Sequence, residues 1–127
     1  MTIVLFATIE NEGGFAMASV EAIRSYCLSF PGAYEDHPWG EAVFKAGKKI
    51  FVFAALNTAL PTVTVKLTPE LRDLWLQSDN AFIPAYVGRY GWCGIRLTGA
   101  AAWNRAEEGI AVSYHLVTQG RPPRPRV

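Results

Sequence analysis

The chain is poor in the residues on which metal sites and nucleophilic catalysis are built. It holds two cysteines, Cys27 and Cys93, and two histidines, His37 and His115. Cys27 falls on an apolar helical position and Cys93 follows Trp92 at the start of a strand, with no C-x-x-C pair anywhere. Both are therefore expected to be buried, reduced thiols that hold no metal. Neither histidine stands in a recognisable motif with a nucleophile and an orienting acid, so a non-enzymatic role is expected. Net charge is also scarce, at +1, and residues 17–120 carry nine Lys/Arg against nine Asp/Glu. Phosphate neutralisation supplies most of the affinity of a dedicated DNA binder, and this body lacks the basic excess such a surface shows. Glycines 88 and 91 flank Arg89-Tyr90 without forming G-x-G-x-x-G, and no strand–helix junction there cradles phosphate, so no cofactor is expected. The apolar run Ile3–Ala7 is too short to span a bilayer and has no basic segment before it. A cytoplasmic chain with no membrane partner follows.

What is present points to one small folded unit. At 127 residues and 14.0 kDa, half of them hydrophobic, the chain suits a single core. The densest punctuation is Ser29–Phe53, SFPGAYEDHPWGEAVFKAGKKIFVF. Pro31-Gly32 ends a preceding helix, and His37-Pro38-Trp39-Gly40 marks a second corner. Glu35, Asp36 and His37 between them read as a solvated, hydrogen-bonded loop, and Trp39 is expected to plug the core beside the following hairpin. Residues 41–46 and 48–55 are rich in β-branched and aromatic side chains around Gly47, a hairpin signal, and Lys45, Lys48 and Lys49 crowd its tip as a small basic wing.

Elsewhere the periodicity is clear. Val20, Ile23, Cys27 and Phe30 form the apolar stripe of a first helix, expected to start at Ser19 as N-cap, with Asn11–Gly14 as a linker before it. Thr62–Leu67 alternates as a half-buried strand with Val63, Val65 and Leu67 inward and Lys66 outward. Thr68-Pro69-Glu70 reads as an N-cap, an N1 proline and an early acid, opening a short helix with Leu71, Leu74 and Trp75 inward. Phe82–Tyr86 reads as a turn or short helix because of Pro84, and residues 92–97 as the last strand. The final helix, 100–118, turns Trp103, Ala106, Ile110, Ser113 or Tyr114, and Val117 inward, puts His115 at the surface and stops at Gly120 as a left-handed cap. Arg121–Arg126, with three prolines, is expected to be an extended, mobile basic tail.

PGAYEDHPWG, VFKAGKKIFVF, VTVKLTPEL, FIPAYVGRYGWCGIRL and SYHLV, in that order, resemble the MmcQ/YjbR family of small bacterial proteins from about Met17 to Val117. The resemblance implies one α+β domain over residues 17–120: a two-layer unit with a mainly antiparallel sheet, helices on one face, and element order α-β-β-β-α-β-α. Residues 1–16 fall outside it, as an extra strand or an extended reading frame. The resemblance brings no catalytic residues, and the family is often labelled DNA-binding. Weak, salt-dependent, non-sequence-specific contact with DNA phosphates is accordingly expected at Lys45, Lys48, Lys49, Lys66 and Arg89, together with the C-terminal arginines. The same lysines also serve simply to keep a hairpin tip soluble and block edge pairing. The alternative is a protein- or peptide-binding or dimerising module, monomer or homodimer. It would use aromatic residues, sixteen in all, on the sheet face that the helices leave open.

Overall fold

The computed structural model of the protein describes residues 12–122. Helix α1 (Glu12–Leu28) leads into β1 (Ala33–Asp36), β2 (Ala42–Ala46), β3 (Lys49–Ala55) and β4 (Thr62–Lys66). Helix α2 (Pro69–Trp75), the two-residue β5 (Ala81–Phe82), a 3-10 turn at Gly88–Tyr90, β6 (Trp92–Arg96) and helix α3 (Ala100–Gln119) complete it. The six strands form one sheet in the order β1-β2-β3-β4-β6-β5, with every pairing antiparallel. This is the α+β architecture expected, with two additional edge strands.

Local chemistry sets the element ends. Thr68 is extended, and its Oγ1 accepts the Leu71 N–H at 3.2 Å ahead of Pro69 at the first helical position. Gly120 closes α3 at φ 77°, returning its N–H to Leu116 O at 3.0 Å. The expected start at Ser19 is overturned: α1 begins at Glu12, so Glu12–Gly14 are helical and not a linker. Ala16, Met17 and Ala18 are good helix formers and no proline intervenes before Pro31, so the helix runs back past Ser19. The expectation for residues 1–16 otherwise lies, for 1–11, outside the described residues, as does that for 123–127.

The core lies between the sheet and the helices, on one side only. Ile23 and Cys27 of α1, Phe44, Val52, Val63, Val65, Cys93 and Ile95 of the sheet, and Ala106 and Ile110 of α3 are all fully buried in one cluster. Trp75 of α2 packs against Gly109, where a Cβ would stand 2.5 Å from its indole ring. Any side chain at 109 would collide with a ring that has no room to move. The expected inward face of α2 needs correcting, since Leu74 is exposed. A seven-residue helix presents little more than one stripe, and Leu71 and Trp75, one turn apart, occupy it.

One side chain of α3 sits between two strands. In the β3–β4 ladder Val52 pairs with Val65, but Phe51 and Lys66 beyond them do not pair with each other. The buried Ser113 hydroxyl stands there instead, donating to Phe51 O at 2.6 Å and accepting from Lys66 N at 2.9 Å. On its other side β3 carries a bulge: Phe44 opposes Val52 and Lys45 opposes Ile50, so Phe51 is the extra residue. The bulge breaks the alternation, which is why the adjacent Phe51 and Val52 are both fully buried.

Two outcomes follow from this packing. Cys27 and Cys93 are buried and unbonded. Burial, with the Glu35 charge as a smaller contribution, pushes the Cys27 thiol up to about 12, and burial raises Cys93 as well. Neither should react with a chromogenic disulfide reagent at neutral pH in the native state, and both should react after denaturation. Rapid native labelling of either would contradict this packing. Ser113→Ala should cost about 2–3 kcal/mol, because it strands the Phe51 carbonyl and the Lys66 N–H together. In thermal unfolding followed by circular dichroism this is a fall of about 10 °C. A loss under about 0.5 kcal/mol would show that the two strands re-pair without the hydroxyl.

Candidate functional site

Helices cover one sheet face and leave the other without a helix. Register places one residue from every strand in a single row across that open face: Asp36, Val43, Phe53, Thr64, Gly94 and Phe82. Alongside run Tyr34, Lys45 and Ile50 at one end and the Lys66–Trp92 pair nearby, with Ala55, Thr62 and Arg96 on the opposite side.

Aromatic rings dominate the middle of this face. Trp39 stacks on Phe53 with centroids 6.4 Å apart, and Phe53 meets Trp92 edge-on at 5.2 Å. Trp39 is 70 % exposed, so the expectation that it plugs the core is overturned. The core side is already filled by Phe44, Phe51 and Phe30, and the turn at His37–Gly40 carries Trp39 to the open face, where Phe53 is its support. Glu35 and Asp36 likewise do not lie in a loop: they end edge strand β1, on opposite faces. Glu35, on the helix side, accepts a hydrogen bond from Arg24 Nε at 3.0 Å, and its other oxygen lies 3.0 Å from His37 Nε2. That hydrogen bond to Glu35 is the main reason the Arg24 guanidinium pKa is raised. These contacts tie the Trp39 corner to α1.

A second segment lies across the open face further along. Residues 83–90 leave β5, cross Thr64 and end in the 3-10 turn. Here Phe82–Tyr86, expected as a turn or short helix, divides into the end of an edge strand and a turn. The Phe82 ring lies on Gly94, where a Cβ would stand 2.3 Å from it, and the Arg96 guanidinium caps the ring at 4.7 Å. Tyr86 is the only non-glycine among the described residues with positive φ, 66°, and it is 93 % exposed. A bulky residue held left-handed and presented to solvent is a strained arrangement. Tyr86 and Pro84 separate two cavities, one lined by Ile83, Gly88 and Arg89 and one by Phe53, Thr64, Ala85 and Val87.

The five basic residues singled out in the sequence do not form one cluster of free cations. Lys45 Nζ lies 3.4 Å from Asp36 Oδ2 and 6.0 Å from the Tyr34 ring, so its charge is matched. The Asp36 carboxyl is held below the usual range by the His37 backbone N–H first and by Lys45 second. Lys48 and Lys49 are exposed at the turn around Gly47. Lys66 faces the open side opposite Trp92, and Arg89 lies 5.0 Å over the Tyr90 ring, exposed. Among the described residues neither Lys66 nor Arg89 has an acidic partner. Aromatic residues on the open face were expected only under the protein-binding alternative and without positions; register is what identifies Phe53 and Trp92 as the ones opposite the core.

A third cavity, about 340 Å³, lies at the far end of β2 and β3, lined by Arg24, His37, Glu41, Ala54, Asn57 and Thr58 among others. Its Arg24 and His37 both lie against Glu35, and no serine or cysteine lines it. His115, expected at the surface, is half-buried with its ring edge-on to Tyr114. Among the described residues no three His, Cys, Asp or Glu side chains group as metal ligands, and no helix is long and apolar enough to cross a membrane.

The YjbR family profile matches residues 28–116. Among solved structures, the fold is similar to that of Deinococcus radiodurans protein DR2400, which carries the domain described as DUF419. The TM-score is 0.71 at 22 % identity, over 79 % of this chain and 78 % of that one, a likeness of fold. No curated protein matches.

Proposed function

The chain belongs to the YjbR family, and from that premise we propose that it is a non-enzymatic domain binding single-stranded nucleic acid weakly on its open sheet face. The observation that carries this reading is the aromatic row Trp39–Phe53–Trp92, in which Trp39 is exposed and Phe53 and Trp92 are partly exposed, bordered by Lys66 and Arg89, on a face whose one strand acid, Asp36, is taken up by Lys45. Unpaired bases stack on aromatic side chains regardless of sequence, with about 1–3 kcal/mol per base, and nearby cations hold the backbone. This division of labour suits a chain of net charge +1: stacking supplies the affinity that phosphate contacts alone would not. The DNA-binding label often attached to the family supports a nucleic acid. The geometry favours the single strand, because bases within a duplex are stacked on one another and shielded from a shelf of rings.

Relative to the basic-hairpin expectation, the centre of contact moves from Lys45, Lys48 and Lys49 to the aromatic row and Lys66. The hairpin tip contributes Lys48 and Lys49 as peripheral phosphate contacts, since Lys45 already has its carboxylate. A cytoplasmic setting is consistent with two buried thiols that remain unpaired.

Fluorescence anisotropy with labelled single-stranded and duplex oligonucleotides across a salt series tests the reading. Trp39→Ala and Trp92→Ala should each weaken single-strand binding by about 1–3 kcal/mol, with the salt slope unchanged. Lys66→Ala should lower that slope by about 0.7. Absence of binding at low salt, or a duplex bound as tightly as the single strand, would overturn it. In the first case, concentration-dependent association in sedimentation would place the apolar face in a protein contact.

A further inference from the structure

We infer that the preferred ligand is a junction, a duplex that runs out into a single strand: unpaired bases lie on the aromatic row, and the duplex abuts the end of the sheet where Lys48, Lys49 and Arg121 stand. This rests on the single-strand reading of the open face and adds the form of the nucleic acid to it. Topology gathers cations at that end. Strand β3 starts at the hairpin turn around Gly47, and β4, antiparallel to it, finishes at the same end with Lys66. Strand β6, antiparallel to β4, starts there with Trp92, just after the 3-10 turn that holds Arg89. Helix α3 sets out from the other end, after Arg96, and reaches Lys66 N with Ser113. It then runs on to Gln119, about 9 Å further, before Gly120 and Arg121.

These cations fall into two groups. Lys66 shares the open face with the rings, and Arg89 borders it. Lys48, Lys49 and Arg121 are exposed past its rim. Lys49 pairs with Ala46, which packs on the core, so register turns it away from the open face, and Arg121 comes from the helix layer. None of the three has an acidic partner among the described residues. Helix α2, on the helix side, adds Glu70, Arg72 and Asp73, one acid in excess, and leaves this end positive. At the opposite end the arginines are engaged. Arg24 lies against Glu35 and Glu21, and Arg96 donates to the carbonyls of Asp79 and Asn80. A strand lying along the rings meets Lys66, whereas the cations past the rim stand off its path. A duplex carries one charge per about 1.7 Å of its axis, twice the density of one strand, and carries it on two backbones. Cations at two depths of the fold suit such a body. Bases inside it are stacked on one another, so the rings are left for the unpaired continuation.

The test compares three labelled DNAs by anisotropy at about 50 and about 200 mM salt: a duplex with a single-stranded tail, the tail strand alone, and the blunt duplex. At the lower salt the tailed duplex should bind tighter than either part. Its advantage over the tail should shrink by about fortyfold at the higher salt, as three duplex phosphate contacts at a slope of about 0.9 each require. Lys48→Ala/Lys49→Ala should reduce that shrinkage to about threefold, the effect of the one contact left, with the tail's own affinity unchanged. Trp39→Ala should weaken the tail and the tailed duplex equally. Both lysines are exposed at a turn, and thermal melts establish that the double variant is folded. A tailed duplex bound no tighter than its tail, or a double variant that weakens the tail and the tailed duplex alike, would overturn the junction and leave the stacking face standing. A tail that does not bind, or a blunt duplex bound as tightly as the tail, would overturn the single-strand reading with it.

Discussion

The Ser113 hydroxyl is the contact on which the two faces of the sheet depend. It links α3 to β3 and β4 where their ladder would otherwise fray, satisfying a carbonyl from one strand and an amide from the other. A buried hydroxyl with both its donor and an acceptor site engaged fixes position more tightly than apolar contact does, because displacement breaks two hydrogen bonds at once. At the same level of the sheet β3 has its bulge, and Phe51 turns to the core beside Val52. The register beyond that point is what sends Phe53 to the other side. Had alternation run unbroken from Phe51, Phe51 and Phe53 would share a face. The aromatic core and the aromatic shelf thus arise from one local irregularity.

Aromatic surface on the open side raises a physical question of its own. Exposed apolar area favours association with other apolar area, and monomeric proteins rarely leave large patches bare. Here the area is broken up. Val43 is covered, the Phe82 ring is folded onto Gly94 beneath Arg96, and residues 83–90 lie over the far end. What stays accessible is Trp39, parts of Phe53 and Trp92, and a narrow notch, with cations at the border. Such relief divides the apolar surface into small separate areas in place of one continuous patch.

Much of the framework was legible in the residues. Thr68-Pro69, Gly120 and the alternation through Val63 and Val65 act locally: the capping oxygen, the left-handed glycine and the period of two operate within a few residues. Other features depend on neighbours distant in the chain. The β1 segment Ala33-Tyr-Glu-Asp36 has no apolar alternation and becomes a strand because β2 offers an edge and Glu35 meets Arg24 of α1. The Tyr34 hydroxyl, 2.7 Å from Gly47 O, fastens it to the hairpin. Trp39 illustrates the limit most directly. Size and hydrophobicity assign it to a core, yet which side of the sheet it reaches is set by the turn at Gly40, whose φ of 88° has no signature beyond the glycine itself. Lys45 shows the same for charge, since its partner Asp36 is a neighbour only after β1 and β2 pair.

The placement of charge completes the picture. Of the two adjacent carboxylates, Glu35 goes to the helix side and Asp36 to the open side, because successive residues of a strand face opposite ways. Glu35 meets Arg24 and His37, while Asp36 meets Lys45. Each carboxylate is thereby paired on its own face, and the open face keeps Lys66, Arg89 and Arg96 without an acidic partner among the described residues. Nearly balanced totals therefore conceal a sided distribution. A one-residue slip of β1 against β2 would exchange the two acids and put Glu35 beside Lys45. It would also set the shorter Asp36 in the place of Glu35 before Arg24, weakening the contact through which α1 holds the Trp39 corner. The register that gives the shelf its cations is thus the register that anchors its outermost ring.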